Sequence, residues 1–149
     1  MKVLVQRSKQ SNVTVNGSIV GEIPYGVVLF VGFTHTDTKK EIEFLADKVL
    51  NLRIFDDENG VMNKSLLDIG GSILSISQFT LYADTEKGRR PSYQKAMKSE
   101  TAINLYHQFN QILKEKVVVE TGIFGADMQV SITNDGPVTI LLQKENCYD

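Results

Sequence analysis

The sequence predicts an α+β fold: one domain of mainly antiparallel, barrel-like β-sheet carrying two principal helices. Three observations carry this. Asn16-Gly17 sits between two alternating segments, an apolar run follows at Val27–Phe33, and the hydrophobic period changes from two to 3.6 in only two stretches. With 149 residues the chain has the length of a single domain, residues 1–149, and at 42% hydrophobic it can bury a core.

Taken in order, Val3 and Val5 alternate with Leu4 and Gln6 in a short strand ending near Arg7-Ser8. Val13-Thr14-Val15 and Ser18-Ile19-Val20 flank Asn16-Gly17, the strongest short hairpin signal, because a type I′ turn needs positive φ at both central residues. The unbroken apolar run Val27–Phe33 predicts a strand buried on both faces. From Thr38 onward, Ile42, Leu45, Val49 and Leu52 fall at helical spacing, and Thr38 with Glu41 forms a capping box. Asp56–Gly60 reads as a turn; a calcium loop would need a later bidentate Glu that is absent at that offset.

Gly70-Gly71 opens a further strand expected to run from Ser72 to Ala83. A second helix follows Pro91, with Ser99 as N-cap and Ile103, Tyr106, Phe109, Ile112 and Leu113 on its apolar face. The rest reads as strands at Lys116–Glu120, Met128–Thr133 and Val138–Gln143, the last two separated by a turn cluster, Asn134–Pro137.

Composition limits the partners and the chemistry. With 16 Lys+Arg against 18 Asp+Glu the net charge is −2, so a polyanion must be met by a local patch. One Cys, Cys147, excludes an internal disulfide framework and a Cys-rich metal site, and two separated His make a His-based cluster implausible. No signal-peptide core or membrane-length apolar run is visible, so a cytoplasmic protein without metal or cofactor is expected. Nucleophile-elbow, P-loop, dinucleotide-binding and zinc-protease motifs are missing, and neither His35 nor His107 sits in a nucleophile–base setting.

Three segments invite a functional reading. Ser77-Gln78-Phe79-Thr80-Leu81 reads as a half-buried strand or as a site-lining one. Gly88-Arg89-Arg90-Pro91-Ser92, preceded by Lys87, reads as a solvated turn or as guanidinium groups held toward phosphate. Asn134-Asp135-Gly136-Pro137-Val138-Thr139 is a turn segment, or holds at Pro137 a cis unit whose adjacent carbonyls point one way; the sequence leaves the isomer open.

Together with Val5-Gln6-Arg7, Gly70-Gly71 and Phe124-Gly125-Ala126-Asp127-Met128, these segments make six landmarks in order. On them the chain resembles the D-aminoacyl-tRNA deacylases, also called D-tyrosyl-tRNA deacylases, nearly end to end; the tail after Gln143 carries none of the family's motifs. The resemblance implies an editing hydrolase that cuts the ester between a D-amino acid and the terminal ribose of tRNA, and accepts the glycyl ester of mischarged alanine tRNA. It also implies a homodimer with active sites at the interface, working on the acceptor end of aminoacyl-tRNA. Ser77, Gln78, Phe79 and Thr80 would line the catalytic site, with main-chain N–H groups near Ser77 and Gln78 facing the scissile carbonyl and Phe79 near the terminal adenosine. Gly136 and Pro137 would form a cis unit entering from the partner subunit and rejecting L-aminoacyl esters, Arg7 would support that loop, and Phe124 and Met128 would lie near the substrate. The ribose 2′-hydroxyl would assist the chemistry in preference to Thr80 acting as nucleophile. Lys87, Arg89 and Arg90 are the expected RNA contacts. The alternatives are a non-catalytic nucleic-acid-binding module using the same three cations, a sister editing enzyme tuned to an L-amino acid, and a purely structural dimer.

Overall fold

A computed structural model describes residues 1–146. Cys147 lies outside the described residues. The strands are β1 (Lys2–Ser8), β2 (Ser11–Val15), β3 (Ser18–Ile23), β4 (Gly26–Gly32), β5 (Phe55–Asp56), β6 (Met62–Lys64), β7 (Ser72–Ser77), β8 (Val119–Thr121), β9 (Gln129–Ser131) and β10 (Asn134–Gln143). The helices are α1 (Lys39–Asn51), the single turn α2 (Leu66–Ile69) and α3 (Ser99–Lys114). The α+β class and the two long helices are as expected. Among the described residues the strands form separate sheets of five, three and two strands, and none closes into a barrel.

The five-stranded sheet, ordered β10-β1-β4-β7-β8, is the central layer. β1 pairs antiparallel with β10 and β4, whereas β4, β7 and β8 run parallel. On one face Val3, Val5, Val27, Leu29 and Ile73 pack against Ile42, Leu45 and Val49 of α1 and Phe109 and Leu113 of α3. On the other, Val28, Leu74 and Ile76 meet Val13 and Ile23 of the β3-β2-β9 sheet. β4 is therefore covered on both sides, which is why its sequence is apolar without alternation. Among the described residues no helix is long and apolar enough to cross a membrane.

Local chemistry sets the element ends. Asn16 and Gly17 take φ of 51° and 79°, as the hairpin signal required. The Thr38 hydroxyl accepts from Lys40 N–H and the Glu41 carboxylate accepts from Thr38 N–H at 2.7 Å, closing the cap on α1.

Three expectations are corrected. The strand from Ser72 stops at Ser77 and turns into a 3-10 turn, Phe79–Tyr82. Its neighbour β4 ends at Gly32, so after the Gln78 N–H···O=C Val31 bond the backbone has no ladder partner and bonds to itself. Ser99 is not the cap of α3: Lys98 holds that position without a side-chain bond, and Ser99 is the first helical residue. Asn134–Pro137 is not a separating turn but the start of β10, which pairs with β1 through a register shift opposite Gln6–Ser8.

Candidate active site

At the carboxyl ends of β4 and β7 the parallel pair opens into a cavity of about 390 Å³, a volume suited to a small-molecule group. Its floor and walls are Val31–Phe33, Ile76–Phe79, Met97, Ser99, Ala102, Phe124–Ala126, Met128 and Val130. Ser77, Gln78, Phe79, Phe124 and Met128, five of the residues picked from the sequence, therefore meet in one place.

The 3-10 turn forms the rim. Gly32 makes this possible, since the Gln78 carbonyl oxygen lies where a Cβ on residue 32 would approach to 2.8 Å. The Gln78 N–H is engaged with Val31, whereas those of Phe79 and Thr80 open the turn and have no acceptor within it; of these two residues Phe79 alone belongs to the cavity lining. The Gln78 side-chain amide donates to Thr80 Oγ1, outside the cavity lining.

No ionisable side chain lines the cavity among the described residues. His35 Nε2 is bonded to Gln94 O at 2.6 Å on an exposed loop, and His107 is exposed on α3. Behind the wall, Tyr106 packs on Phe124 at 5.7 Å between ring centroids. Burial pushes its hydroxyl above the ordinary tyrosine range, which keeps it a donor to the Ser75 carbonyl at 2.8 Å. Sequence reading missed Tyr106 as a support because its position on α3 marks it only as a core residue. Tyr106→Phe is expected to lower kcat/KM several-fold and leave the midpoint of thermal unfolding within a few degrees, since it removes one hydrogen bond of about 1 kcal/mol; an unchanged kcat/KM would show that Ser75 needs no such anchor.

Arg7, Gly136 and Pro137 are elsewhere. Ser8 is opposite both Asn134 and Gly26, so the exposed Gly136-Pro137 unit, a cis peptide, lies at the end of the sheet where β4 starts, across β1 from it. The cavity lies at the other end of that strand, roughly 20 Å away for a strand of this length. Arg7 is 8% exposed and holds the loop: Nε donates to Asp135 O at 3.0 Å and Nη1 to Ile54 O at 2.8 Å. Lys87, Arg89 and Arg90 are exposed at the tip of a loop whose base is closed by two 2.8 Å hydrogen bonds between the main chains of Asp84 and Ser92. That loop leaves directly from the cavity rim.

Residues 4–143 match the family model described as D-Tyr-tRNA(Tyr) deacylase. The chain is 56% identical over 146 residues to a D-aminoacyl-tRNA deacylase of Anoxybacillus flavithermus, covering 97% of this chain and 100% of that one. It is 57% identical over 144 residues to another from Brevibacillus brevis, covering 96% and 99%. Among solved structures it is similar to one titled c-Myc DNA Unwinding Element Binding Protein, with 41% identity, a TM-score of 0.93 and coverage of 98% and 100%. A probable eukaryotic D-amino acid tRNA deacylase shares the fold at 18% identity and a TM-score of 0.82, covering 95% and 97%.

Proposed function

Because this chain belongs to the D-Tyr-tRNA(Tyr) deacylase family, we propose that its cavity performs ester hydrolysis with help from the substrate's own ribose, and is completed by a second copy of the chain. The coarse activity is that of a D-aminoacyl-tRNA deacylase, a hydrolase acting on aminoacyl-tRNA.

The observation that carries the chemical reading is a cavity lined, among the described residues, without any ionisable side chain. Water adds to the ester carbonyl, the Phe79 amide stabilises the oxyanion, and the bond to the ribose 3′-oxygen breaks. The neighbouring 2′-hydroxyl relays the proton to that leaving oxygen. A well-aimed backbone donor contributes about 3–4 kcal/mol to such a step. A Thr80 nucleophile would need a base that the cavity does not supply. Thr80→Ala should therefore retain turnover within about tenfold at saturating D-tyrosyl-tRNA, since only its hydroxyl is removed; abolished turnover in folded protein rejects the reading.

The same geometry supports a homodimer with its sites at the interface. Gly136-Pro137 and the cavity occupy opposite ends of one sheet, so they can meet only between two chains. In that arrangement the carbonyls of Gly136 and Pro137 from the second copy hold the substrate's α-amino group. A D side chain then points to solvent, an L side chain meets the wall, and glycyl esters pass. The arrangement is tested by mixing two damaged proteins, Gly32→Ala at the cavity and Gly136→Ala at the far loop. Random exchange of subunits gives heterodimers with one intact site of two, restoring about a quarter of wild-type activity. No recovery after verified exchange removes the shared site.

A paired assay on D- and L-tyrosyl-tRNA, with chelator present, tests the activity itself. Rapid loss of the D ester alone is expected. Loss of neither favours the second reading, a nucleic-acid-binding module, for which the DNA-element-binding title of the 41%-identical structure and the three exposed cations are the observations.

A further inference from the structure

Tyr93 is an aromatic residue that the proposed chemistry does not use. It is 44% exposed, and its ring meets that of Phe79, itself 55% exposed, edge-on at 5.1 Å between centroids. Tyr93 follows directly after the loop that carries Lys87, Arg89 and Arg90, none of which pairs with an acidic group among the described residues. Its segment is held firmly. The Tyr93 carbonyl accepts from Ala96 N–H at 3.1 Å, His35 is bonded to Gln94 O, Thr34 Oγ1 donates to Lys95 O at 2.5 Å, and Met97 N–H donates to Phe33 O at 2.9 Å. An exposed ring on a clamped segment, between a cavity mouth and a cluster of free cations, is the layout of a stacking platform for a single-stranded polyanion.

We propose that Tyr93 stacks the base of the penultimate nucleotide of the aminoacyl-tRNA acceptor end, while Arg89 and Arg90 take the phosphates on either side. The inference rests on the deacylase reading of the cavity and extends it by one nucleotide. Phe79 lines the cavity and meets Tyr93, so an ester held in the cavity leaves its terminal nucleoside at this rim, and the next base, a few ångströms on, reaches the neighbouring ring. Phosphate contacts alone would fix position without selecting a flat partner; the exposed ring adds that selection.

The test compares D-tyrosyl-tRNA with D-tyrosyl-adenosine, which lacks the penultimate nucleotide, and with the D-tyrosyl ester of the dinucleotide CpA, which restores it. Tyr93→Ala is expected to raise KM for the tRNA by about 5- to 100-fold with kcat held, in keeping with the loss of one base–aromatic stack. It should lower kcat/KM for the dinucleotide ester similarly and leave that for the adenosine ester unchanged. Tyr93→Phe should behave as wild type, and Tyr93→Leu, which keeps apolar bulk without a π face, should resemble Tyr93→Ala. Equal loss on all three substrates would make Tyr93 a prop for Phe79, and no loss on any would remove it from the binding track; either overturns the proposal. Wild-type protein inactive on the tRNA ester would instead refute the deacylase reading beneath it.

Discussion

Replacing Gly32 with alanine is expected to lower kcat/KM for D-aminoacyl-tRNA by about 100-fold while the chain still folds cooperatively. The added methyl would stand 2.8 Å from the Gln78 carbonyl oxygen and 3.2 Å from Leu81 Cβ. Overpacking of this kind costs about 1–3 kcal/mol. The closest atom is backbone, so relief must come from moving the 3-10 turn, and with it the Phe79 amide. A displacement near 1 Å is enough for about a 100-fold loss when reacting groups are positioned rather than strongly basic. Steady-state kinetics beside a thermal melt separates the two effects. Unchanged kcat/KM would mean that the turn does not set the reacting geometry.

Arg7→Ala is the second large change, and its first effect is on stability. The side chain satisfies the buried Ile54 carbonyl and the Asp135 carbonyl, and lies 3.5 Å from the Asp135 carboxylate and 3.7 Å from that of Asp56. Asp56 is 56% exposed, so water screens much of that attraction. The larger loss comes from leaving carbonyls without donors, and about 2–3 kcal/mol in total is expected by chemical denaturation. Because Asp135 precedes Gly136, activity should fall further than the lost stability explains. Arg7→Lys keeps the charge but not the planar fork, and should recover only part of either. Full recovery by lysine would reduce Arg7 to a point charge.

Much of the fold was legible from local chemistry. The Asn16-Gly17 hairpin, the Thr38 cap and the doubly buried β4 each follow from short stretches of sequence whose partners add little information. What stayed hidden depends on distant chain. Ser72–Ala83 alternates as a strand should, yet it turns at Gln78 because its neighbour ends at Gly32, over forty residues earlier. Asn134–Pro137 has turn composition, yet it opens β10: Asn134 is paired with Ser8 of β1, and Asp135–Pro137 bulge out before the pairing resumes at Thr139. The candidate site residues were picked through motif resemblance, and five of them line one cavity. Their separation from Gly136-Pro137 could not be read without strand order, and neither could Tyr93, whose importance lies in its contact with Phe79.

The placement of cavity and Gly-Pro loop at opposite ends of the central sheet also bears on how much protein a cell must hold. If neither end works alone, a dilute chain carries half-sites, and the rate per litre then grows with the square of the chain concentration. Above the dissociation constant of the pair it becomes linear. Proofreading capacity would thus respond steeply to expression when the protein is scarce and only proportionally once it is abundant, a dose response written into strand order.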